Sequence, residues 1–477
     1  MEAKKQTSDD PPTQSGAPAE PDSDSAPLFV LREVTAESGI AVLDRAGTTT
    51  PSQNLSDDIV SKGLISHEDA LFLLSIFQQH YGRWVSFDPL VRTAVLLGDV
   101  RKSPLLLAAC CLIAVRHTSQ ELAARLAPTL LRESKSHLSL ALLVTPQYLE
   151  FFQAVLVLSM WSTTIGRVPL SMDSWLLSSF ALQHSIASGI WSSNHNHSSD
   201  KPGRSGLDTL CVWNHLCLVH LHYCVGTRRK AVLDRKDVEQ CRRILDAQQT
   251  SNFESRMVAE VFLYWIIYES SLNPVDVPRT QSALQTWREE WNFLFDQPRS
   301  QFIQMGYCFA QLLTYDRSLK TKSAAVRETL LLEMVHLSTT IIRLAMNTTD
   351  ERTKHLTDHI YHMLSFAAVT LTRLLHNYEE QLAASHDLQQ LDELILSLAT
   401  WLHAIGLPCH IAYTMGNVVA AVHKKLRPDA GPSPSESYTG VDPAIHDEFA
   451  QFFPELFGNS PMDTMHVPML PDFQLIP

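Results

Sequence analysis

An all-α fold is predicted by three features of this 477-residue chain. No proline occurs between Pro298 and Pro408, glycine is scarce at 17 residues, and apolar residues recur at helical spacing behind helix-capping residues. Proline breaks a helix by losing its N–H and clashing with the preceding turn, and glycine weakens one by its backbone freedom, so a long stretch without proline and with few glycines should stay helical. Hydrophobic residues make up 45% of the chain and charged ones 19%, which suits one large globular core or two ordinary ones.

The first 27 or so residues are mainly Pro, Ser, Asp, Ala and Gly, a composition that cannot offset the entropy of ordering, so a disordered leader is expected there. With the unassignable text up to Asn54 it makes a segment 1–54. From Leu55 a helical body is predicted to run to Arg427. Ser66 is an N-cap candidate with Asp69 three residues on, ahead of Ala70, Leu71, Leu74 and Phe77, and Gly82 is expected to stop that helix. Ser103-Pro104 and Thr145-Pro146 each place a cap residue before a proline at a first helical position, and Gly189 and Gly226 stand where C-terminal caps belong. The polar run Ser192–Gly206 and the run Ser271–Arg279 read as breaks between helices.

After Arg427 the composition changes. Nine of the 25 prolines fall from Pro428 onward, and the segment 428–477 reads as a linker followed by an acidic tail. From Asp442 it carries acidic residues and no Lys or Arg, interleaved with Phe449, Phe452, Phe453 and Phe457. Like charges keep such aromatics dispersed until a partner groove buries them, which points to a disordered activation segment that engages coactivators. Docking of the tail on its own domain is the competing expectation.

A formal charge of −13 argues against binding of nucleic acid by the chain as a whole, because phosphate neutralisation needs a surplus of Lys and Arg on one face. None of the eight cysteines stands in the C-x2-C spacing with which one turn grips zinc. The N-terminus has no apolar signal segment, so reduced thiols in an intracellular compartment are expected. The runs Leu105–Val115 and Ala154–Trp161 are too short to span a bilayer, and no membrane partner is expected.

His355, His359 and His362 fall at i, i+4 and i+7, a spacing that places chelating side chains on one helical face. Leu356 stands where zinc enzymes of the H-E-x-x-H kind keep a glutamate, so packing is the expected role. A second group joins His215, His220 and His222 with Cys211, Cys217 and Cys224 in one apolar helix, where Cys217 or Cys224 would meet His220; core packing is again expected. The basic run Arg228, Arg229, Lys230, continued at Arg242 and Arg243, is a candidate nuclear-import signal, its alternative being a solvated face with internal ion pairs. No G-x-S-x-G elbow, phosphate loop or dinucleotide fingerprint occurs, so no enzyme is expected. Trp161, Trp175, Trp213, Trp265 and Tyr268 are candidates to line an apolar ligand pocket, though each also suits plain core.

The wording "SPLLLAACCLIAVRH", "TPQYLEFFQAVLVLSMW", "SMDSWLLSSFALQHSIASGIW" and "VWNHLCLVHLHYCVGTRRKAVLDRKD" resembles the middle homology region of fungal zinc-cluster transcription factors. Within that family, "SNFESRMVAE" at Ser251–Glu260, "FDQPRSQFIQMGYCFAQLL" at Phe295–Leu313 and "TTDERTKHLTDHIYHMLSFAAVTLTRLL" at Thr348–Leu375 are similar to the activators of secreted proteases of filamentous fungi. The resemblance implies a helical regulatory domain, action in the nucleus as an activator and control of extracellular protease genes; a homodimer is a candidate assembly, the oligomeric state being open at this point. It also implies two zinc ions held by a six-cysteine cluster that contacts DNA. No such cysteines stand in this chain, so DNA contact is expected only through that further N-terminal module. A truncated gene model, an isoform or a cluster-less regulator would each account for this, the first most simply. A ligand-sensing or partner-binding module without direct DNA contact is the alternative function.

Overall fold

A helix of 14 residues capped by a serine illustrates how the fold is written locally. Ser66 Oγ accepts the Asp69 N–H at 2.9 Å and opens α1, His67–His80, whose buried face is Ala70, Leu73, Leu74 and Phe77. Leu73 rather than the expected Leu71 joins the core, because the buried stripe follows i, i+3, i+4, i+7 from Ala70. Tyr81 caps α1, and Gly82 opens a 3-10 turn, Gly82–Val85.

The computed structural model describes residues 57–161, 164–165, 168–169, 172–188, 204–247, 250–272, 276–319, 324–348, 351–408 and 410–430. All of these belong to one compact unit that starts at Leu55. The expected leader, 1–54, and the tail phenylalanines Phe449, Phe452, Phe453 and Phe457 lie outside the described residues. Among the described residues the fold is all-α, as predicted; its extended part is a two-residue antiparallel pair, Thr164–Ile165 with Val168–Pro169.

The helices that follow α1 are α2, Thr93–Val100; α3, Pro104–Ala114; α4, Gln120–Ala141; α5, Leu149–Met160; α6, Ser174–Ser188; α7, Arg204–Thr227; and α8, Arg235–Gln240. Then come α9, Asn252–Leu272; α10, Val277–Glu290; α11, Gln301–Leu319; α12, Ala324–Met346; α13, Asp358–Asn377; α14, Glu379–Ala383; α15, Leu388–Ile405; and α16, Ile411–Leu426. In α3 every residue from Leu105 to Ala114 is buried, and in α5 every residue from Phe151 to Met160. A helix apolar all round has no solvent face, so these two sit centrally, with α3 against α1, α4 and α5, and α5 against α6 and α7. The chain then layers α9 on α7, α11 on α9, α12 on α11, α13 on α12, and α16 on both α13 and α15.

The predicted cap at Ser103-Pro104 holds: Ser103 Oγ accepts the Leu106 N–H at 3.4 Å, and Pro104 takes the first turn. Thr145-Pro146 does not open a helix. Gln147 Nε2 instead donates to the carbonyls of Ala141 and Val144, both at 2.6 Å, so this segment closes the exposed end of α4 and α5 starts only after Tyr148. Gly226 lies inside the last turn of α7, and the left-handed position falls two residues later at Arg228, φ 54. Arg204, Ser205 and Gly206 belong to α7 rather than to the expected loop. The second expected break ends earlier than Arg279, because Asp276 Oδ1 accepts the Arg279 N–H at 3.1 Å and starts α10.

Among the described residues one stretch, Glu328–Met346 of α12, is long and apolar enough to cross a membrane. Half of it is buried, and it packs on α11, α13 and α15 as a core helix does. At the far end, His423 Nε2–H donates to Asp392 Oδ1 at 2.9 Å and Arg427 pairs with Asp392 at 2.8 Å and Glu379 at 3.1 Å, locking α16 to α15 and α14.

Candidate functional site

The helical face expected to gather His355, His359 and His362 is not formed. Thr357 is the N-cap of α13, so His355 stays outside that helix in a 3-10 turn, Glu351–His355, and points to a different neighbourhood from the other two. Two separate clusters result.

The first is a junction around Tyr81. Its hydroxyl meets His117 Nε2 and, at 2.9 Å, His355 Nδ1, joining residues far apart in the chain. His80 stacks on His355 at 3.7 Å, and His117 lies 4.3 Å from it. His410 Nε2–H donates to the Lys354 carbonyl at 2.8 Å while its Nδ1 accepts the Ala412 N–H at 3.1 Å, which fixes a neutral tautomer at the start of α16. Arg116 and Asp358, 4.0 Å apart, form a buried ion pair beside it. Burial lowers His355 to about 3 and His410 to about 4, and carries His117 lower still, aided by the neighbouring His355 and His410.

The second is a chamber between α5, α7, α9, α11 and α13. His222 of α7 stacks on His359 of α13 at 3.8 Å, and His359 Nε2 bonds the Tyr264 hydroxyl of α9. His362 completes the group one turn on. His222, 8% exposed, keeps its Nε2 buried and without a hydrogen-bond partner. Beside these rings opens a cavity of about 250 Å³, lined by Val219, Ile267, Phe309, Leu313 and Phe366 among apolar residues, and by Arg228, Arg317, Arg373 and Asp316. Arg317 is anchored through the Ser270 and Ser271 carbonyls at 2.8 and 3.3 Å. Burial lowers His222 to about 3 and His362 to about 4, and takes His359 well below the usual range, with His222 and His362 adding to the effect. All three rings are therefore neutral at pH 7.

Sequence spacing singled out His222 and His359 as members of two different groups; the fold makes them one. The five aromatics expected to line a pocket do not line this cavity. Trp161 is core, its indole N–H donating to the Leu356 carbonyl at 3.2 Å, and the Tyr268 hydroxyl accepts the Ala231 N–H at 2.9 Å. Trp213 and Trp265 are buried, and Trp175 lies 5.1 Å beneath the Arg229 guanidinium.

In α7, His220 meets Cys224 at 3.4 Å and Ser178 at 3.1 Å, and its Nε2 accepts the Val232 N–H at 3.1 Å. Cys217 does not meet His220, as the spacing had suggested, and neighbours Cys241 instead. Among the described residues no group of three His, Cys, Asp or Glu side chains could hold a metal ion. The cysteines there are dispersed and mostly buried, burial pushing Cys111, Cys211 and Cys224 up to about 12. Such thiols do not fit the six-cysteine zinc cluster, which needs clustered thiolates.

The basic run is folded rather than extended. Arg229 pairs with Asp173, and Arg242 pairs with Glu290 at 2.5 Å and Glu239 at 3.4 Å while lying 4.0 Å over Phe262. Arg228 and Lys230 are exposed, and Arg243 is half-buried.

The family described as the middle domain of the transcriptional activator of proteases prtT matches residues 63–426. A Schizosaccharomyces pombe protein named an uncharacterized transcriptional regulatory protein is 29% identical over 382 residues, covering 77% of this chain and 71% of its own length. The transcriptional activator of proteases prtT of Aspergillus clavatus is 26% identical over 398 residues, 82% of this chain and 60% of its own. That of Penicillium rubens is 27% identical over 322 residues, 66% of this chain and 48% of its own, so the chain spans well under two thirds of several relatives. No solved structure matches.

Proposed function

The chain belongs to the family of the prtT middle domain, and on that premise we propose that it is the regulatory body of a transcription regulator, acting in the nucleus on genes for extracellular proteases. The observation that carries this is the match across residues 63–426, which takes in α1 to α16 almost whole. A regulator's body needs no catalytic constellation, and the reading rests on the family match alone.

DNA contact, in this reading, comes from a separate zinc-cluster module, consistent with a formal charge of −13. Coactivators are engaged by Phe449, Phe452, Phe453 and Phe457, and the body forms a homodimer. Deleting the gene should abolish most extracellular protease activity in a culture grown on protein as nitrogen source; unchanged activity would remove the reading. Fusing Asp442–Pro477 to a heterologous DNA-binding domain should switch on a reporter, and silence would remove the activation role of the tail. Import through Arg228, Arg229, Lys230, Arg242 and Arg243 has the exposed Arg228 and Lys230 in its favour and the ion pairs of Arg229 and Arg242 against it. Replacing all five by glutamine and finding nuclear accumulation unchanged would dismiss it.

A further inference from the structure

The regulatory role gives no task to the chamber beside His222, and its chemistry is specific enough to name an occupant. Its walls are apolar side chains of Val219, Ile267, Phe309, Leu313 and Phe366, which favour a hydrocarbon or aromatic body. A 150 Å³ apolar cavity holds a benzene ring, so about 250 Å³ has room for roughly ten non-hydrogen atoms. The charged residues of the lining are lopsided, three arginines, Arg228, Arg317 and Arg373, to one carboxylate residue, Asp316. A planar guanidinium matches a carboxylate with paired hydrogen bonds. The neighbouring imidazoles carry no charge, so positive charge for such a ligand comes from the arginines.

Residues of the lining carry unmet polar atoms, among them Ser159 Oγ and His222 Nε2. His222 Nε2 is buried with no hydrogen-bond partner, and His222 is a residue of the cavity lining. A buried polar nitrogen left so is a standing cost, removed when a hydroxyl or similar group reaches it.

We propose that this chamber binds a small monocarboxylate whose aromatic or branched body fills the apolar space, whose carboxylate pairs with Arg228, Arg317 or Arg373, and whose inner polar atom meets His222 Nε2. Arg228 is suited to the entrance because its left-handed backbone, φ 54, ends α7 there and its side chain is exposed. Bound ligand ties α7 to α9, α11 and α13, so occupancy stiffens the centre of the domain. That the event regulates transcription rests on the function proposed for the chain; the binding itself does not.

The test uses purified full-length protein, with 4-hydroxyphenylacetate as probe and 4-hydroxyphenylacetamide as its uncharged counterpart, at matched ionic strength. The acid should raise the melting temperature by about 2–5 °C at a hundredfold excess over its Kd, and the amide should bind at least about tenfold more weakly. Arg373→Gln should weaken the acid about tenfold while leaving the amide unchanged, and Leu313→Trp, which fills the space, should abolish binding of both. No shift up to 10 mM (about the upper limit for a specific metabolite site), equal shifts from acid and amide, or undiminished binding to both variants would overturn the proposal. Failure there leaves the regulator role standing, because gene deletion reads that role without any ligand.

Discussion

The junction around Tyr81 and the chamber around Tyr264 are made of the same parts, a buried tyrosine and neutral histidines drawn from distant segments, yet they do opposite things with space. At the junction the rings cover one another: His80 stacks on His355, and Tyr81 lies 4.9 Å from Trp161. At the chamber His222, His359 and His362 border a cavity instead. A buried histidine is thus a rivet where neighbours close over it and a binding element where they stop short. Residue type does not decide between the two; the packing of the adjacent helices does.

Acid tests both clusters at once and has the largest expected effect. The native values of His215, His222 and His355 are lowered to about 3, and those of His220, His362 and His410 to about 4. A folded value below the unfolded 6.5 means that the unfolded chain binds protons first. Stability from these groups is therefore full above pH 6.5 and is lost as pH falls toward 4, at about 1.4 kcal/mol per proton per pH unit. Glu260, raised to about 7 by burial against the pull of Arg256, works in the opposite sense and is a single group. Cooperative unfolding by about pH 5 is expected from circular dichroism in a titration from pH 7.5, since the summed loss then rivals a typical total stability of about 5–15 kcal/mol. A native signal that persists at pH 4.5 would show the clusters to be accessible and the contrast misplaced.

Next comes the ion pair of the junction. Arg116→Met leaves the Asp358 carboxylate buried beside an apolar chain and should cost about 3–5 kcal/mol in urea unfolding. Tyr81→Phe removes the hydroxyl shared by His117 and His355 and should cost about 2–4 kcal/mol. Tyr264→Phe deprives His359 of its partner next to a space that can admit water, so about 1 kcal/mol is expected. Equal losses from the two tyrosines would erase the distinction between rivet and chamber.

Much of the fold was legible locally. Ser66 and Ser103 declare their helices because a hydroxyl at that position satisfies an otherwise orphaned N–H, and the proline-free run from Pro298 to Pro408 holds α11 to α15 apart from short turns. The misreadings share one cause. Thr145-Pro146 has the form of a cap but sits where α4 needs its carbonyls closed, and His355 has the right spacing but precedes the helix start at Thr357. Both depend on where a neighbouring element ends. The chamber was beyond reach for a related reason: its volume is what remains after α5, α7, α9, α11 and α13 pack, and no periodicity along the chain records a remainder.

The buried thiols bear on time rather than on stability. Among the described residues Cys110, Cys111, Cys211, Cys217, Cys224 and Cys241 are free and buried, spread from α3 to the turn after α8, while Cys308 of α11 is half-buried. A thiol reagent reaches each of the six buried ones only when its own segment swings away, so the order in which they are alkylated in native buffer is a map of which parts of the domain open first. Cys217 and Cys224 belong to α7, the helix that also brings Val219 and His222 to the chamber, and their labelling rates would clock how often that helix opens.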